Sequence, residues 1–212
     1  MLKILNKTRK VSGKMSVPKQ IMTTFFALLF GGGMGIVAKF LDLNRLPSFL
    51  NWLDLSNFLG RTAPWIFIAV CLAVFSKSPL KAGINVFAFF AGMVASYYLY
   101  SNYIAGFFPR SYAVIWFGFT AVSPLLSFAC WYAGGKSKLA LILSALILAV
   151  LFNMCFVYGC WYFNAKSVLE VIVFIIGLIV LRRDTLRSSA LMGTISIVLA
   201  VLLDMVIPFH FG

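Results

Sequence analysis

A chain of 212 residues that is 62% hydrophobic and 11% charged, with a mean hydropathy of +1.00, lacks the solvating side chains of a soluble domain, which carries about 25% charged residues. The net charge of +13 does not point to nucleic acid, because the basic residues fall between apolar runs, where they act as topology signals and meet anionic headgroups. A membrane barrel is excluded too: its signature is alternating segments of about ten residues, and the runs here are long and continuous. With barrels gone, helices are what remains to satisfy backbone groups in lipid.

Residues 1–19 form a basic tail with Lys3, Lys7, Arg9, Lys10, Lys14 and Lys19. A charged region before an apolar one has the outline of a signal peptide, but the apolar stretch is long and lacks a small-x-small site with a polar start after it. An uncleaved first span is expected. Asn6-Lys7-Thr8 matches the glycosylation sequon, on the side assigned to the cytosol, and reads as a chance match.

Residues 20–212 read as one domain of seven transmembrane helices, an all-α polytopic bundle. The spans are placed at Gln20–Phe40, Thr62–Ser76, Ala82–Tyr103, Tyr112–Ala133, Leu139–Phe163, Ser167–Leu181 and Ser188–Phe209. The anchor of this reading is the stretch from Leu139 to Ala165, 27 residues without a formal charge, which as one helix is roughly 40 Å long against a hydrocarbon core of about 30 Å. With the N-terminus in the cytosol, 13 of the 18 basic residues face inward, and every inner loop holds at least two. Lys39, Arg45, Arg61, Arg110 and Lys166 fall outside. That asymmetry gives N-inside, C-outside, and chain ends on opposite sides of the membrane. The host is expected to be a bacterial cytoplasmic membrane, spanned in multiple passes.

The outside segment Leu41–Gly60 is too apolar for a free loop, with Leu46, Phe49, Leu50, Trp52, Leu53, Leu55, Phe58 and Leu59. A short interfacial helix with Trp52 at headgroup level is expected, either a simple anchor or a lid over an outward cavity. Spans 2 and 6 are short of about 20 residues, so tilt, snorkelling or thinning must compensate. They hold matching places if the chain is three spans, a linker span and three spans, a pointer to transporter repeats.

Small residues mark helix contacts in lipid. Span 1 carries Ala27, Gly31, Gly35, Ala38 and Asp42 on one stripe; span 3 carries Asn85, Ala88, Gly92 and Ser96. Span 4 adds Thr120, Ser123 and Ser127 beside a kink expected at Pro124, span 5 Ala145, Ala149, Asn153, Cys160 and Asn164, and span 7 Ser189, Gly193, Ser196, Ala200 and Asp204. Asp204, a carboxylate inside a span, needs a partner or water. Lys39, Arg61 and Arg110 are its candidate partners, as an ion pair stitching the bundle or as part of a ligand or proton site. Asp42, Asp54, Asn57, Asn102, Asn164 and Glu170 fall at the same level. Trp65, Tyr97, Tyr100, Tyr103, Trp161 and Tyr162 join them as vestibule walls or as an interfacial belt. Asn85 and Asn153 sit deeper and suit hydrogen bonds between helices or to a solute.

No catalytic motif is found: no G-x-S-x-G, no H-E-x-x-H, no phosphate loop and no aspartate-rich metal pair. The single histidine, His210, makes a Ser/His or Cys/His protease hard to build. Cys71, Cys130, Cys155 and Cys160 form no C-x-x-C pair, so no metal site is expected and the thiols read as reduced packing residues. No cofactor is expected. The inner loop Arg182–Arg187 suits topology and anionic headgroups, or a cytosolic protein partner.

Ser78-Pro79 through Gly92-Met93, Tyr97-Tyr98, and Ser123-Pro124 through Trp131-Tyr132-Ala133 resemble an uncharacterised family of small bacterial multi-span membrane proteins. That family has no known activity, so the resemblance transfers none. In size and aromatic content, and in its small-residue first span, the chain is also similar to substrate-binding subunits of energy-coupling-factor vitamin transporters, which have six spans. The reading is a non-enzymatic membrane protein that binds or moves a small solute through an outward polar pocket of Asp204, Lys39, Asp42, Arg61, Arg110, Asn85 and Asn153. The alternative is a non-catalytic membrane subunit or assembly partner.

Overall fold

In this computed structural model residues 8–11, 13, 15–44 and 47–206 are described. Expectations resting on Asn6, Lys7, Arg45, Leu46, Phe209 and His210, or on where Met1 and Gly212 emerge, lie outside them.

Local sequence sets the helix starts. Prolines, which lack the amide a first turn leaves unused, open three helices: α1 (Val17–Leu43), α3 (Ala63–Val74) and α4 (Pro79–Tyr103). Ser78 Oγ accepts from the Lys81 amide at 3.2 Å, and Ser137 Oγ accepts from the Ala140 amide at the start of α6 (Lys138–Cys155). Between α1 and α3 lie a 3₁₀ turn, Ser48–Leu53, and α2, Leu55–Gly60. Asp54 joins these two in the left-handed region at φ 50°, which aspartate tolerates better than most residues. Helices α5 (Arg110–Ala133), α7 (Val168–Val180) and α8 (Leu186–Val206) complete the set.

Five of these helices are long and apolar enough to cross a membrane, α1, α4, α5, α6 and α8, and a sixth span arises if α2 and α3, bent by 69°, are one broken crossing. The bend falls at Arg61, whose extended backbone ends α2. Helix α7, with 13 residues, is apolar but short. The protein is therefore a mainly helical bundle suited to a membrane.

The expected fifth span is corrected. Helix α6 stops at Cys155, and Phe156–Tyr158 (β1) pairs antiparallel with Phe163–Ala165 (β2). At 1.5 Å per residue its 18 residues already cover roughly 27 Å, about one hydrocarbon core. The aromatic run beyond has no further lipid depth to cross. Phe156 stacks on Phe163 at 5.2 Å between centroids, and Trp161 in the turn is 97% exposed. The helical bundle stands, with this short ribbon at one end, and Cys160 and Asn164 leave the helical stripe predicted for them.

One end of the bundle gathers the tail and the helix ends at Val74, Ala133 and Val180; the far end gathers Leu43, Arg61 and the ribbon. α1 packs chiefly on α4, and α6 on α8, while the short α3 and α7 touch each other between the pairs. The glycines set the first of these contacts. A Cβ on Gly31 would lie 2.0 Å from the Phe89 carbonyl oxygen, and one on Gly92 would lie 2.2 Å from that of Leu28. Pro124 leaves the Thr120 carbonyl without its helical amide, and the Ser123 hydroxyl donates to that oxygen at 2.8 Å.

Candidate functional site

At the far end a cleft of about 300 Å³ opens between α1, α2, α3, α4 and α5. Trp65, Tyr97, Tyr98, Phe107, Tyr112 and Trp116 form its walls, and the bend residues Leu59 and Gly60 close one side. The bend is held by the indole of Trp65, which donates to the Leu59 carbonyl at 2.9 Å. Tyr112 and Trp116 reach the cleft together because they are one turn apart on α5.

Lys39 is the cation on this lining. It sits one turn from the end of α1, and its residue is only 4% exposed. Its ammonium lies 4.5 Å from the Phe107 ring centre and 5.0 Å from that of Tyr97. The nearest carboxylate, Asp42, is 3.6 Å away, beyond the reach of a good hydrogen bond. Asp42 instead accepts from the Tyr97 hydroxyl at 2.7 Å. Among the described residues no hydrogen bond reaches the Lys39 ammonium. An ammonium carries three donors, and among the described residues this one, on the cleft lining, meets two ring faces and the Asp42 charge.

The other expected site residues go elsewhere. Arg61 donates to Glu170 at 2.7 Å and to Asp54 at 3.3 Å. Glu170 is fully buried and also accepts from the Ser167 hydroxyl. Arg110 is exposed at the start of α5, directly after Pro109 of the cleft lining. Asn85 lies near the tail end, where its Oδ1 accepts from Thr24 at 3.0 Å in a chain that continues to the Lys81 ammonium. Asn153 donates to the Ala200 carbonyl and accepts from the Tyr158 hydroxyl, both at 2.9 Å. Asp204 stands beside that hydroxyl: burial pushes the Tyr158 pKa upward, and the Asp204 charge adds to it. Among the described residues Asp204 makes no ion pair with Lys39, Arg61 or Arg110. Those cations sit with Asp42, with Glu170 and in the open, so the single pocket expected around Asp204 resolves into separate places.

Two arginines at the tail end were not foreseen as structural. Arg9 donates to the carbonyls of Trp131 at 2.6 Å and Val74 at 2.8 Å, with its guanidinium 4.4 Å above the Trp131 ring. Arg183 donates to Gly135 and Ala133 carbonyls at 2.6 and 3.2 Å, to the Ala140 carbonyl, and to the Ser144 hydroxyl. Arg9 bridges the C-terminal ends of α3 and α5, and Arg183 ties Ala133 at the end of α5 to Gly135 and the first turns of α6. The spacing signal for either is absent, since their acceptors lie tens of residues away. Among the described residues no group of three or more His, Cys, Asp or Glu could hold a metal ion.

The sequence pattern of a family described as a family of unknown function (DUF6518) matches residues 15–209. No curated protein and no solved structure matches the chain.

Proposed function

The chain belongs to DUF6518, a family of unknown function, and from that premise we propose that it binds a small organic anion with a planar apolar body in the far-end cleft. The carrying observation is Lys39: a buried residue on the cleft lining whose ammonium has no hydrogen bond among the described residues and meets Asp42 only at 3.6 Å. A carboxylate entering the cleft supplies the missing acceptor, and charge-assisted bonds of this kind are the strong ones. The aromatic walls take the apolar body by stacking. About 300 Å³ is near the lower limit of about 300–1,000 Å³ for ligand sites, which favours a ligand of one or two rings. Arg110 beside the mouth adds a second positive charge that draws an anion in.

The role is recognition, with passage of the solute as its extension, and no bond is made or broken. The far end faces outward in this reading, with α2–α3 and α7 completing seven crossings and the tail in the cytosol, as the basic residues favour. The long–short–long order of α1, α3, α4 and of α6, α7, α8 supports passage, because paired short segments in two halves are a transporter feature.

The test uses benzoate and its neutral analogue benzamide on the purified protein in detergent, read through the fluorescence of Trp65 and Trp116. Saturable quenching by benzoate, at least tenfold weaker for benzamide and lost in Lys39→Met, is expected. Equal responses to the two compounds, no response to benzoate, or an undiminished response in Lys39→Met would refute the reading.

A further inference from the structure

A second cleft lies at the opposite end of the bundle, where the loop after α5 faces the loop before α8. Its volume is about 360 Å³, and Lys136, Lys138, Arg182 and Arg183 line it against one carboxylate, Asp184. That carboxylate is paired with Lys136 at 2.9 Å, and both side chains are largely exposed. Arg183 forms the floor. Four acceptors hold its guanidinium tips, while its buried Nε has no acceptor among the described residues. Desolvation pulls the Arg183 pKa below its ordinary value, and Asp184 opposes the shift. Lys138 and Arg182 have no side-chain hydrogen bond or ion pair among the described residues, so the cleft keeps two uncommitted cations over a positive floor.

Two helix starts share the same cleft. Ser137 takes the Ala140 amide and Thr185 takes the Ser188 amide, which leaves the first amides of α6 and α8 without a partner in their own helices. These groups add partial positive charge to the side-chain cations. The two helices that start at this cleft carry exposed aliphatic side chains, Leu186 and Leu191 on α8 and Ile142 on α6. A basic cleft at the start of two such helices matches a molecule with an anionic head and hydrocarbon tails.

We propose that this cleft holds the phosphate of an anionic phospholipid, its acyl chains lying along the exposed faces of α6 and α8. Lys138 and Arg182 pair with the phosphate oxygens, and the helix-start amides supply further donors. Arg183 acts from the floor as a fixed charge, since its tips remain on the carbonyls. The site is separate from the one around Lys39 and stands whether or not that cleft binds a solute.

The experiment compares the full chain with Lys138→Gln/Arg182→Gln, a pair that leaves the Arg183 bonds in place. Both are reconstituted with phosphatidylcholine containing a minor share of phosphatidylglycerol, then stripped with detergent, and co-purifying lipid is identified by mass spectrometry. Retention of phosphatidylglycerol over phosphatidylcholine by the original chain is expected, with a loss of roughly tenfold or more in the variant. The variant's thermal stability in phosphatidylcholine alone should be unchanged. Equal retention of the two lipids, or undiminished phosphatidylglycerol in the variant, overturns the proposal. A parallel arm adds inorganic phosphate to lipid-free protein. Saturable stabilisation there, lost in the same variant, would reassign the cleft to a soluble anion and equally overturn it.

Discussion

The two ends of the bundle use their cations in opposite ways. At the tail end Arg9 and Arg183 spend their donors on carbonyls of Val74, Trp131, Ala133, Gly135 and Ala140. At the far end the Lys39 ammonium meets ring faces and a carboxylate at 3.6 Å. Burying a charge is costly unless it is paired and hydrogen-bonded. A cation with its acceptors in place therefore braces the fold, and in the proposed function one without them takes its acceptor from the ligand. Arg61 belongs with the first kind, since its acceptors Glu170 and Asp54 are supplied by the fold.

That contrast orders the substitutions. Removing Arg61 strands a fully buried carboxylate, so Arg61→Met should cost about 3–5 kcal/mol. Replacing both partners, Arg61→Met with Glu170→Leu, should recover most of that loss in a detergent unfolding titration. Arg183→Gln comes next, at about 1.5–3 kcal/mol for charged hydrogen bonds lost to buried carbonyls, read by the same titration. Arg9→Gln should cost about 1–2 kcal/mol, since two carbonyl bonds and one ring contact are lost at a less buried place. Lys39→Met is the smallest: stability within about 1 kcal/mol of the original, because an apolar side chain of similar length avoids the desolvation an unbonded ammonium suffers. A loss from Lys39→Met as large as that from Arg183→Gln would break the comparison, and a rise in stability would sharpen it.

Periodic features were legible before any coordinates. Ala27, Gly31, Gly35 and Ala38 are all buried, and so are Ala145 and Ala149 on α6, because a stripe of small residues leaves few alternatives to close helix packing. Arg61 and Lys77 bracket α3 with too few residues for a full span, and the helix is short. The end of α6 was not legible: an apolar, aromatic run reads alike as helix or strand, and Phe156–Ala165 turned out to be a ribbon. The site was only half legible. Lys39, Asp42, Trp65 and Tyr97 do meet at one end, but Phe107 and Trp116 were missed. Asp204 reads as the carboxylate that needs a partner, whereas the fully buried carboxylate is Glu170, whose partner lies 109 residues off. Pairings at that separation leave no spacing signal.

Infrared difference spectroscopy of benzoate carrying a ¹³C carboxylate, bound to the protein in detergent, reads the Lys39 ammonium most directly. A shifted carboxylate stretch in the original chain that reverts to its solution position in Lys39→Met is the predicted result. A bound benzoate whose stretch is the same in both proteins would contradict the assignment of Lys39 as the acceptor-seeking cation of the cleft.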